Sequence, residues 1–145
     1  MLTCFDVAEY FLAKTDEDAG DAISNLKLQK LVYYAQGFSL AMTGAPLFGE
    51  DFEAWQHGPV IPRLYQKYKE NGAFGIRPPE AFDDSKFTAA QKDVLDQVYE
   101  AYGQFSAWKL RNMTHEESPW RDTPINEVIS KAKMKSFFKT RIEDA

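Results

Sequence analysis

Cysteine is nearly absent: the 145-residue chain has one, Cys4. One thiol cannot close an internal disulfide, which fits a reducing compartment and leads to the expectation of a cytoplasmic protein. Histidine is scarce, with only His57 and His115. No apolar run approaches the ~20 residues of a membrane-spanning helix, so no membrane partner is expected. The start, Met1-Leu2-Thr3-Cys4-Phe5-Asp6, has no basic stretch and soon meets Glu9, so no signal peptide is expected. Basic charge is in deficit: the net charge is -5. Nucleic-acid binding wants a strong basic face, so that class is disfavoured.

Apolar residues are 44% of the chain and aromatics 14%, enough for a core in one domain spanning 1–145. The periodicity predicts an α-rich α+β fold of about six helices around a central one. The first helix runs over 3–15, capped by Thr3, with Phe5, Ala8, Phe11 and Leu12 on one face. Residues 16–23 read as an acidic loop (Asp16, Glu17, Asp18, Asp21). Ser24 caps the central helix, 25–43, which Gly44 and Pro46 end. Its apolar arc is broad, which implies contact from more than one side. Lys27, Lys30 and Tyr34 share the remaining face. Residues 52–57 alternate and read as a strand, stopped by Gly58-Pro59. A helix over 60–71 follows, then a loop over 72–87 and a helix from Thr88 to Gly103. Ser106 caps a shorter helix. Residues 114–124 read as a loop, 125–129 as a second short strand pairing with 52–57, and Ser130 caps the last helix. There Met134, Phe137, Phe138 and Ile142 line one side.

The candidates for chemistry do not assemble into a reaction. A helical zinc-protease motif with His115 would need histidine at 119, where Pro119 stands. Cys4 begins a helix, which can lower a thiol pKa, but no base or oxyanion hole is near it in sequence. There is no G-x-G-x-x-G or Walker loop, and no serine lies in a G-x-S-x-G elbow. The acidic run over 16–21 lacks the closing glutamate of an EF-hand. The expectation is therefore no enzyme, no metal and no cofactor. A small metal-dependent hydrolase using His57 and His115 and a DNA-binding regulator stand as the alternatives from other classes.

Three separated motifs point to a family. They are Lys27-Leu28-Gln29-Lys30-Leu31-Val32-Tyr33-Tyr34-Ala35-Gln36, then Glu53-Ala54-Trp55-Gln56-His57-Gly58-Pro59-Val60 with Tyr65, then Leu110-Arg111-Asn112-Met113-Thr114-His115-Glu116-Glu117-Ser118-Pro119-Trp120. In this order they resemble the SocA-like antitoxin family, also called the Panacea domain and earlier described as phage-associated protein of the GepA type. The resemblance runs from about residue 5 to 140. It implies a bacterial or prophage antitoxin that neutralises a cognate toxin by direct binding. The family also includes a proteolytic adaptor that delivers its toxin to the ClpXP protease, which is the alternative mechanism. Some members add a DNA-binding helix-turn-helix, for which this chain leaves no expected room. Leu28, Leu31, Tyr33, Trp55, His57, Gly58, Pro59, Tyr65, Thr114, His115, Pro119 and Trp120 read as scaffold within these motifs. Lys30, Tyr34, Gln36 and Arg63 are the candidates for contact with the partner, because tyrosine and arginine dominate interface energetics. The identity of the toxin and the oligomeric state stay open.

Overall fold

The computed structural model describes residues 1–15, 22–71 and 74–143. The acidic run Asp16, Glu17, Asp18 and Asp21 lies outside the described residues. Among the described residues, seven α-helices and a small antiparallel sheet make the α-rich α+β fold.

Helix α1 (Cys4–Ala13) opens with a capping box: the Thr3 hydroxyl accepts from the Asp6 N–H, and the Asp6 carboxylate accepts from the Thr3 N–H. Helix α2 (Asn25–Thr43) starts at Ser24, whose hydroxyl accepts from the Lys27 N–H. It stops at Gly44, which takes the left-handed conformation (φ 78°) that ends many helices. Helices α1, α3 (Pro62–Tyr68), α4 (Ala89–Tyr102), α5 (Ala107–Glu116) and α7 (Lys131–Glu143) all pack on α2. Helix α6 (Ser118–Arg121) bridges α5 and α7. A helix so enclosed has no wet face. Its buried residues include Leu28, Leu31, Val32 and Tyr33, and also Asn25, Gln29, Lys30 and Gln36.

Three strands form a sheet in the order β2-β1-β3. Strand β1 (Phe52–Trp55) pairs with β2 (Gly58–Val60) in the register Glu53↔Val60, Ala54↔Pro59, Trp55↔Gly58. It pairs on its other side with β3 (Val128–Ile129), Phe52 opposite Ile129.

The expected boundaries need three corrections. Gly58-Pro59 does not stop the sheet; it belongs to β2, and 56–57 are the turn. Proline is tolerated there because β2 is an edge strand and its missing N–H breaks no ladder bond. Among the described non-glycine residues only Asn126 has positive φ, so the left-handed residue of this hairpin is Gly58, at φ 112°. The expected strand 125–129 shrinks to Val128–Ile129, because Asn126 bends the chain there (φ 71°). The expected loop 114–124 is largely helical, since α5 runs through Glu116 and Ser118-Pro119 starts α6. Proline at a first helical turn gives up only an N–H that had no intrahelical partner.

The core is one cluster of aromatic and aliphatic residues from α1, α2, α4, α5, α7 and the sheet. Phe138 of α7 meets Tyr33, Tyr34 and Phe38 of α2 edge to face. Phe138 comes so close because α2 has Gly37 beneath it; a Cβ at 37 would collide with the ring. Met134 of α7 is also buried, whereas Ile142 is 38% exposed. Gly37→Ala should therefore lower stability by about 1–3 kcal/mol through overpacking. Gly49→Ala, where only the Met1 sulfur lies within reach at 4.0 Å, should change it by less than about 0.5 kcal/mol. Urea unfolding midpoints of the two variants check this; equal losses would show that the α2–α7 contact is not tight at Gly37.

Candidate functional site

The first and third motifs meet across the β1–β2 hairpin. Lys30 enters from α2, fully buried, and its ammonium donates to the Pro59 carbonyl at 3.3 Å. Burial, reinforced by the Arg111 charge, pulls its pKa down from 10.5 to about 7. Gly58 lies directly over it. A Cβ on Gly58 would stand 2.6 Å from Lys30 Cε and 2.9 Å from Thr114 Oγ1. Glycine is thus required twice at this position, for its left-handed φ and for the close approach. Thr114 is buried and turns its hydroxyl back to the Arg111 carbonyl at 2.8 Å.

His115 and Trp120 stack face to face, with ring centroids 3.9 Å apart and planes 2° from parallel. The Trp120 indole N–H donates to the Trp55 carbonyl at 2.7 Å. His115 Nε2 is buried with no hydrogen-bond partner among the described residues. Burial, then the charges of Arg111 and Lys30, hold its pKa below the usual value. The third motif therefore fastens the hairpin through the Trp55 carbonyl, just before its turn. His57 at the tip is exposed, and its Nδ1 accepts from Arg111 Nε at 3.4 Å. The Trp55 ring packs edge to face on Tyr65 at 5.2 Å. Pro119 is buried at the start of α6.

One turn further along α2, the Tyr34 hydroxyl donates to Glu117 Oε2 at 2.9 Å, and the Tyr102 ring stacks on Tyr34 at 4.2 Å. Glu117 is buried, which pushes its pKa up from 4.5 to about 7 against the opposing effect of the Tyr34 hydrogen bond. Its Oε1 and the Tyr33 hydroxyl have no hydrogen-bond partner among the described residues. Gln36 ties down the chain after α2: its amide N–H donates to the Phe48 carbonyl and its Oε1 accepts from the Leu47 N–H.

These positions correct the expected contact set. Lys30, Tyr34 and Gln36 are buried, at 0%, 0% and 1% exposure, and cannot touch a partner in this conformation. The face of α2 that periodicity left wet is covered by α5 and β2. Arg63 alone of the four is exposed; its guanidinium lies 5.6 Å from the Phe5 ring centre, beside Lys67.

Two buried amides were missed. Gln29 Oε1 accepts from the Ile61 N–H, and its amide N–H donates to Asn25 Oδ1; Asn25 in turn donates to the Tyr65 carbonyl. The signal for them was two amides four residues apart on an otherwise apolar helix. Together they hold α3 against α2. Beside them, between the hairpin, the start of α2 and α3, runs a groove of about 370 Å3 walled by Trp55, Val60, Tyr65 and Ile125.

No catalytic arrangement emerges from this geometry. Cys4 is buried and its thiol is pushed up to about 12, by burial and then by Glu50, the reverse of an activated nucleophile. Among the described residues no three His, Cys, Asp or Glu side chains stand together to hold a metal ion. No described helix is long and apolar enough to cross a membrane.

A family model described as "Antitoxin SocA-like, Panacea domain" matches residues 28–121. This chain belongs to that family. The matched span holds the hairpin, Lys30, and the whole His115–Trp120 clasp. Antitoxin SocA of Caulobacter vibrioides (strain NA1000 / CB15N) is 52% identical over 50 residues, 34% of this chain. That match spans only 27% of the Caulobacter protein. No solved structure matches. For this Panacea domain, then, the family motifs are chiefly the fastening of a hairpin onto a buried helix.

The two buried ionisable groups predict opposite pH responses. Glu117 is held neutral by the fold, so its contribution is complete below its ordinary 4.5 and is lost as pH rises through about 7. Lys30 is held neutral in the other direction, so its contribution is complete above 10.5 and is lost as pH falls through about 7. Glu117→Gln should flatten the fall in stability between pH 4.5 and 7, and Lys30→Met the rise between pH 7 and 10. Urea unfolding across pH reads both; slopes unchanged by the substitutions would refute the assignment.

Proposed function

We propose that this chain is the antitoxin of a bacterial or prophage toxin–antitoxin pair and neutralises its cognate toxin by direct protein–protein binding. Its membership of the SocA-like family carries this reading. The arrangement of the motifs supports it, because residues that look catalytic in sequence are spent on structure. His115 is stacked on Trp120, Lys30 is sealed under Gly58, and Cys4 is buried with a protonated thiol. A binding protein needs such a rigid frame, since preorganised surfaces lose less entropy on association.

The test is co-expression. The protein encoded beside this chain should arrest growth alone, and co-expression of this chain should restore growth and co-purify the two. A neighbouring product that is harmless alone would remove the reading. Inhibition by binding and delivery to ClpXP share the same bound state. They separate by toxin half-life, which should stay unchanged when the protease is deleted if binding alone neutralises.

A further inference from the structure

We propose that the groove between the hairpin and α3 seats an uncharged segment of the toxin, anchored by one aromatic or branched aliphatic side chain; this rests on the antitoxin reading above. The sheet is where the argument starts. One face, with Phe52, Ala54 and Ile129, is buried in the core. An antiparallel sheet with a solvated second face normally places polar residues there. Here the second face carries Trp55, the buried Val60 and the exposed Val128, with Tyr65 and Ile125 alongside. Val128 is 51% exposed and Ile125 53%. The one acid on that face, Glu53, is turned to the Trp55 indole N–H, which it accepts at 3.1 Å.

Charge then selects the occupant. In a chain with 27% charged residues, the groove lining holds no Asp, Glu, Lys or Arg; its polar groups are amides and His57. A charged side chain seated among these apolar walls would lose water, and the charges beside the groove, Glu53 on the Trp55 indole and Arg111 on His57, are already hydrogen-bonded. An apolar anchor flanked by neutral residues loses nothing, and the amides of Gln56 and Asn126 at the groove can hydrogen-bond its backbone. The volume, about 370 Å3, is enough for a large side chain and its neighbours.

The walls are already fixed. Trp55 is held through its carbonyl by Trp120, Tyr65 through its carbonyl by Asn25, and the Asn126 N–H donates to the Ala54 carbonyl at 2.7 Å. Half-exposed Trp and Tyr rings on a fixed backbone are the usual anchors of binding energy. Among the other exposed aromatics, Phe74 (81% exposed) lies outside the groove, Trp108 (62% exposed) is covered by the Arg111 guanidinium at 4.6 Å, and Phe105 is covered by the Lys109 ammonium at 4.2 Å.

The experiment introduces charge without touching the core. Ile125→Asp and Gln56→Glu change exposed side chains of the groove; Trp108→Asp is the control on α5. The full chain and each variant are co-expressed with the protein encoded beside it, and affinity is measured by calorimetry on the purified pair. Each groove variant should weaken binding at least tenfold and lose growth rescue, while the control stays within about twofold of wild type. Wild-type affinity in both groove variants overturns the groove and leaves the antitoxin reading standing. A loss only in Trp108→Asp moves the interface to α5 and also overturns it. A wild-type dimer by light scattering that Ile125→Asp dissociates makes the occupant a second copy, against the proposal. Absence of rescue by the wild type instead sinks the antitoxin reading itself.

Discussion

Helix α2 is surrounded by five helices and an edge strand, so its buried polar side chains take their partners inside the protein, the Tyr33 hydroxyl excepted. That constraint organises the molecule. Lys30 takes the Pro59 carbonyl, Tyr34 takes Glu117, Gln29 takes the Ile61 N–H, and Gln36 takes Leu47 and Phe48. Each bond ties a different distant segment to α2. An apolar helix of the same shape would pack as well but would leave the hairpin, α3 and the 45–48 turn without defined positions. The downward pKa shift of Lys30 and the upward shift of Glu117 are the consequence, because burial without a full counter-ion disfavours either charge.

The hairpin is held on both faces by this arrangement. Lys30 supports it from beneath and the His115–Trp120 stack clasps it from the side. The partly exposed Trp55 and the buried Val60 are thereby held in one geometry beside the groove. A surface built from rigid aromatics on a fixed backbone suits binding, and it needs no reactive group.

Much of the fold was legible in the sequence. The ends of α2 coincide with expectation because Ser24 and Gly44 act locally, through a cap bond and a left-handed φ. The same is true of Thr3, Thr88 and Ser106. The hairpin was half legible: alternation marked β1, but proline disguised β2, since its edge position is a fact of the sheet. Helix α6 was hidden because four residues carry no periodicity. The site was less legible. His115 and Trp120 read as scaffold in the sequence, yet the bond from Trp120 to the Trp55 carbonyl joins two elements 65 residues apart.

The sequence by itself determined the helices, their caps, the α-rich class and the motifs that mark the family, because all of these rest on spacing and on residue chemistry within a few positions. Only the tertiary structure decided which face of α2 is dry. A helix with Lys30 and Tyr34 on one side reads as half-wet until α5 and β2 are laid on that side. That single fact turned expected contact residues into internal fasteners and left Trp55, Tyr65 and Ile125 as the accessible surface. Burial depends on what packs against a residue, and that is set by the whole chain rather than by its neighbours in sequence.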